Sequence, residues 1–224
     1  MTRTTNARIA GFTFLFYIAA GLTSLAVFRR ATRGEGIAAK LAGIGAHPTD
    51  VGYLVLLGFF QCFSALVLGV TLYAITREED RDLAMLGMTC RVGEGIIGGL
   101  TIPAMPALLA LASTGPGASA EAANVLARYL LRDDVALPAT FFAVGSMLFA
   151  YLFLRGRMIP MWLAWLGVGA SILLVVILPL RMAAFAGAPL TTVAWLPMLV
   201  FELVLAVWLL TKGVTPPIHS TRIA

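Results

Sequence analysis

Charge is scarce in this chain: Asp, Glu, Lys and Arg together make up 12% of 224 residues, and only two cysteines and two histidines occur. Cys62 and Cys90 both lie inside apolar runs, which leaves neither an extracellular disulfide framework nor a C-x-x-C redox or zinc motif. His47 and His219 are far apart, in a loop and in the tail, so no metal or haem site and no cofactor is implied. No nucleophile elbow, paired-His metal motif, Walker loop or dinucleotide fingerprint is present, which removes support for hydrolase and NTPase readings. An internal repeat of the kind that marks inverted-repeat transporters is also missing.

What the chain has instead is apolar length. Hydrophobic residues make up 60% and the mean hydropathy is +0.93, values that exclude an ordinary soluble fold. A hydrocarbon core about 30 Å thick takes about 20 apolar residues as a helix, and runs of that length recur from end to end. The fold class read from this is all-α: an integral membrane bundle of about six transmembrane helices, with one or two short amphipathic surface helices. The bundle is expected over residues 1–214 as a single domain, with a disordered tail at 215–224.

The expected spans are Ile9 to Phe28, Val51 to Ile75, a third from Leu83 to Ala112, Val135 to Leu154, Met158 to about Leu180, and about Leu190 to Thr211. The first follows Arg3 and Arg8 but is too long for a signal h-region and runs into Arg29 and Arg30, so it reads as a retained helix. Pro103 and Pro106 remove backbone donors from the third, predicting a kink or an end near Ile102. Ser119 to Leu131, with Ala122, Val125, Leu126, Tyr129 and Leu130 at helical spacing, reads as a surface helix capped by Ser119 or as a loop covering the bundle end. Ile37, Leu41 and Ile44 around Lys40 make a weaker case of the same kind.

The net charge of +5 does not mark nucleic-acid binding, because the basic residues flank apolar runs. Lys and Arg divide almost evenly between the two faces. Arg77, Arg81, Arg155 and Arg157 lie in short loops, where charge weighs most, and favour cytoplasmic termini in an inner (plasma) membrane. The partners expected are membrane lipids and a lipid-like small molecule, with no nucleic acid; the sequence sets no oligomeric state.

Ionisable groups at mid-membrane cost about 3 kcal/mol each even on insertion scales, so they face the bundle interior and seek partners. Arg91 and Glu94 stand three residues apart on one helix face, and Glu202 lies in the middle of the last span. By helical rise Arg91 is about 14 Å, Glu94 about 18 Å and Glu202 about 15 Å from the same boundary, and Gln61 falls near that level from the opposite end. One polar layer is therefore expected. It holds one guanidinium and two carboxyl groups, so a proton, a cation, a water-filled cavity or a ligand group completes it. Glu94 and Glu202 are the candidate proton donors or acceptors, and Arg91 and Gln61 the candidate binding residues; the same layer also reads as structural glue. Gly95 and Gly99, beside Gly93 and Gly98, form a packing face or a ligand groove, with packing the default. The Phe59-Phe60 and Phe141-Phe142 pairs read as ordinary apolar bulk.

Several stretches resemble a family of bacterial membrane proteins grouped as domain of unknown function 4386. These are Ala7-Arg8-Ile9-Ala10-Gly11, Arg91-x-x-Glu94, Tyr151-Leu152-Phe153-Leu154-Arg155-Gly156 leading to Pro160-x-Trp162-Leu163, and Glu202-Leu203 through Ala206-Val207-Trp208-Leu209-Leu210 to Lys212-Gly213. Phe201 departs from the pattern, standing where the resemblance associates Gly. The resemblance implies a multi-pass helical protein of no established activity and singles out Arg91, Glu94 and Glu202. Three functional readings follow: a binding protein for an amphipathic molecule, extending to general-acid chemistry; a proton-coupled transporter; and a structural or regulatory membrane protein.

Overall fold

The computed structural model describes residues 1–113, 120–131 and 136–216. Ser119, His219, the start of the fourth span at Val135 and residues 217–224 of the expected tail lie outside them.

Among the described residues, six helices are long and apolar enough to cross a membrane. They are α1 (Arg3–Ala31), α3 (Pro48–Thr76), α4 (Arg81–Gly99) continued by α5 (Ala104–Ser113), α7 (Ala136–Arg155), α8 (Met161–Met182) and α9 (Ala188–Thr211). The chain is a multi-pass membrane protein. Its outward side chains are apolar: Phe12, Phe63, Val70, Val176 and Leu196 are all exposed, as suits a surface solvated by lipid.

Local chemistry sets the helix ends. Thr2 caps α1 by accepting from the Thr5 N–H, and Asp80 caps α4 by accepting from the Leu83 N–H at 3.1 Å. The third span breaks as its prolines require. α4 stops at Gly99, residues 100–103 form turns bonded from Thr101 N–H to Gly98 C=O and from Ile102 N–H to Gly99 C=O, and α5 restarts at Ala104 with Pro106 in its first turn.

The spans form a ring: α1 packs on α3, α3 on α4, α4 on α7, α7 on α8, α8 on α9, and α9 closes on α1. One face of the ring carries both ends of the described residues, the start of α1 and the segment after α9. There Arg3 pairs with Glu78, Arg155 Nε lies 2.8 Å from Glu79 Oε1, and Arg155 Nη1 lies 3.1 Å from Asp80 Oδ2. Thr215 donates from its N–H to Met158 C=O and from Oγ1 to Arg157 C=O.

The opposite face is covered by α2 (Gly36–Ala46), α5 and α6 (Ala120–Leu130), which gather Ile44, Val51, Leu108 and Ala127 into a second small core. α2 is a helix, and its Ile37, Leu41 and Ile44 face α5 and α6, so this segment covers the bundle end. It folds back from α1 through Gly34, whose φ of 115° suits glycine alone. Across this face Arg30 makes a two-pronged pair with Asp50 at the start of α3, with Nε donating to Oδ2 at 2.8 Å. α6 buries Ala127 while Val125, Leu126 and Tyr129 stay exposed, which joins the two readings of this segment in one helix.

The Leu83 N–H, then Arg155, hold the Asp80 carboxyl below its ordinary range against the opposing pull of burial. A carboxyl depressed in the folded state contributes stability above its unfolded value of about 4, and that contribution is lost as pH falls through the folded value. Asp80→Ala is therefore expected to lower the unfolding temperature in detergent at pH 7, with the gap to wild type narrowing below pH 4. A gap independent of pH would refute the assignment.

Candidate functional site

The interior of the ring is polar at mid-depth. Arg91 on α4 is 1% exposed and is among the largest fully buried side chains in the protein. Its Nη1 lies 3.0 Å from Glu94 Oε2, with Glu94 one turn further along the same face. Tyr17 of α1 donates its hydroxyl to Glu94 Oε1 at 2.7 Å. Glu202 of α9 is buried and lies within electrostatic range of both Arg91 and Glu94. The structure thus draws α1, α4 and α9 together around one guanidinium and two carboxyl groups.

Two aromatic faces cover the guanidinium. Arg91 Cζ sits 4.9 Å from the Phe142 ring centre and 5.6 Å from that of Tyr17, both within cation–π range. Phe142 in turn packs on Trp195 of α9 with ring centres 5.6 Å apart. Phe142, half of a pair that reads from sequence as bulk, is therefore a wall of the charged site.

Space for Arg91 depends on glycines of the neighbouring helices. A Cβ at Gly145 of α7 would lie 3.3 Å from Arg91 Cδ, 3.2 Å from Cys90 Cβ and 3.2 Å from Gly87 O; one at Gly69 of α3 would lie 3.1 Å from Arg91 Cβ. Gly95 takes the packing role expected of it, since a Cβ there would lie 3.0 Å from Cys62 O of α3. Phe201 also finds its place through a glycine: its ring lies where a Cβ at Gly167 of α8 would be, at 2.5 Å.

A cavity of about 640 Å³ adjoins this cluster and extends toward the face opposite the termini. Its inner end is lined by Tyr17, Glu94, Phe142 and Trp195, and its outer end by residues such as Phe28, Leu54 and Met105 and by Tyr129–Leu131 of α6. From Tyr17 to Phe28 along α1 this is a length of about 16 Å. Gln61 and Gly98 also line it. Gln61 Nε2 lies against Gly21 of α1, 3.1 Å from where a Cβ would be, on the cavity wall. Arg91 and Glu202 do not reach the wall, so Glu94 alone connects the charged cluster with the cavity.

The sequence did carry a signal for Tyr17. Tyrosines favour membrane interfaces, and of the five in this chain Tyr53, Tyr73 and Tyr151 lie near span ends and Tyr129 on α6, while Tyr17 stands in the middle of α1. A phenol at that depth needs an acceptor, and Glu94 is that acceptor.

Removing one partner of a buried pair strands the other, so Glu94→Leu is expected to destabilise the bundle by about 3–5 kcal/mol, while Arg91→Met with Glu94→Leu restores most of the loss. Thermal unfolding of both singles and the double in one detergent checks this; additive losses would show that the two side chains do not act as a pair. Gly145→Ala, which inserts a methyl against the Arg91 stem, is expected to cost about 1–3 kcal/mol in the same assay.

A family model described as Domain of unknown function (DUF4386) matches residues 9–213. No curated protein and no solved structure matches the chain.

Proposed function

Since a match over nearly its whole length places the chain in the DUF4386 family, we propose that this membrane protein binds an amphipathic, lipid-like small molecule in the interior of its helical ring. The observation that carries the reading is the meeting of a drug-sized, largely apolar cavity with a single buried carboxyl group on its wall, Glu94, which is held in place by Tyr17 and Arg91. The apolar body of the molecule lies along Leu54, Phe28 and Met105, and its polar head reaches Glu94 and Tyr17. Gln61, on the same wall, supplies a further hydrogen-bonding group, and Arg91 sets the charge of Glu94 from behind.

Two carboxyl groups share one guanidinium, so one of them is suited to hold a proton. If the bound molecule is a substrate, that proton, held by Glu94 or Glu202, is available for general-acid chemistry. The same arrangement supports a second reading, a proton-coupled transporter in which Glu94 or Glu202 alternates between protonated and Arg91-paired states. It predicts proton-dependent solute flux in vesicles, where a purely structural layer predicts none. The short basic loops on the face with the termini support a cytoplasmic placement of that face in a plasma membrane.

The test is to purify wild type, Glu94→Gln and Gly98→Phe in mild detergent and identify the molecules carried along by mass spectrometry. Gly98 lines the cavity, and a Cβ there meets nothing nearer than Pro138 Cβ at 4.0 Å, so a ring at this position has room to enter and fills cavity space one turn from Glu94. A discrete species present with wild type and depleted in both variants is the expected result. The same bulk phospholipid in all three would overturn the reading.

A further inference from the structure

Because Glu94 and three aromatic residues line the inner end of the cavity, we infer that its ligand is a lipophilic organic cation, a bulky ammonium or phosphonium on an apolar body. The inference rests on the cavity being a binding site, as proposed above, and assigns the class of molecule it takes.

The charged cluster is asymmetric toward the cavity. Of its three members only Glu94 lies on the wall, while Arg91 is screened behind it between the Tyr17 and Phe142 rings. A molecule entering from the outer end therefore meets an acceptor, not the guanidinium. An anionic head, such as a carboxylate or phosphate, would need Arg91 on the wall and would instead face a carboxylate of its own sign. A neutral head would leave the second carboxyl to be balanced by a proton. A cation beside Glu94 balances the cluster as a whole, which has two carboxyl groups and one guanidinium.

The remaining lining at this end fits the same chemistry. Tyr17, Phe142 and Trp195 stand beside Glu94 on the cavity wall, and aromatic faces around a carboxylate are the general means by which proteins hold cations too large and too poorly hydrated for oxygen ligation. Two of these residues, Tyr17 and Phe142, already hold the Arg91 cation against their rings, so aromatic groups carry positive charge within this site. Glu94 is 5% exposed; its Oε2 lies 3.0 Å from Arg91 Nη1 without an aligned hydrogen bond, and each carboxylate oxygen carries a second lone pair, so the group can take further positive charge from the cavity side. Apolar residues further out, Leu54 and Met105 among them, receive the organic substituents of the cation.

The experiment uses two ions of the same shape and opposite charge, tetraphenylphosphonium and tetraphenylborate, in equilibrium binding to the purified full-length chain in a neutral detergent. Saturable binding of the phosphonium at least tenfold tighter than the borate, weakened tenfold or more in both Glu94→Gln and Gly98→Phe, is the expected result. The two variants act by charge and by volume respectively, so misfolding of one, seen in its thermal unfolding, leaves the other to decide. Equal binding of the two ions, or tighter binding of the borate, with loss in Gly98→Phe, would overturn the cation assignment while leaving the cavity as a binding site. No saturable binding of either ion would also overturn it. The parent reading then stands or falls on the co-purifying molecule, whose detection does not depend on charge.

Discussion

The Arg91–Glu94 pair is the constraint to which the rest of the bundle answers. A guanidinium at mid-membrane is tolerable only if it is screened from lipid on all sides, and an Arg91 that keeps 1% of its exposure meets that demand. Four neighbouring helices comply in different ways. α1 supplies Tyr17 as ring and donor, α7 supplies Phe142 as a second ring and Gly145 as room for the stem, α3 supplies Gly69, and α9 supplies the second carboxyl. The ring of helices is closed around a charge, and apolar packing completes what the charge requires.

This view accounts for which parts of the site the sequence revealed. Arg91, Glu94 and Glu202 stood out because charge in an apolar run is conspicuous and helical rise converts position into depth without further knowledge. The break after Gly99 was legible for the same kind of reason, since Pro103 acts through local backbone chemistry. Phe142 was not legible: nothing in an apolar run tells a phenylalanine that faces lipid, such as Phe63, from one that lies 4.9 Å from a guanidinium. The distinction is rotational. It depends on which way α7 is turned, and that is settled by contacts with α4 and α8 that have no trace in local pattern. Gly69 and Gly145 escaped for a related reason, because small residues are common in membrane helices and their partners lie on other chain segments.

The stretches that resemble the family are brought together by the fold. Gly11 of the opening stretch lies against α9, where a Cβ would be 2.7 Å from Ala206 O, a residue of the last stretch. Arg155 of the third stretch pairs with Glu79 and Asp80 in the turn that leads into the helix bearing Arg91-x-x-Glu94. Each piece taken alone is an ordinary run of membrane residues; together they mark the seam that closes the ring and the tie that fixes the α3–α4 turn. Phe201 shows how a departure from the pattern is absorbed, its ring using the space that Gly167 leaves on α8.

Closure of α9 onto α1 has a consequence for biosynthesis. Every other neighbouring pair of spans joins segments that follow one another along the chain, and these pairs form in the order in which the ribosome delivers them. The seam is the one pairing that joins the first span to the last. Until α9 arrives, the nascent protein is an open horseshoe with the Arg91–Glu94 pair facing its gap, and Glu202 is carried in by the helix that seals it. The final insertion step therefore combines the burial of a carboxyl group with the enclosure of a charge already in the membrane, and a chain shortened before α9 would lack both Glu202 and the helix that closes the ring.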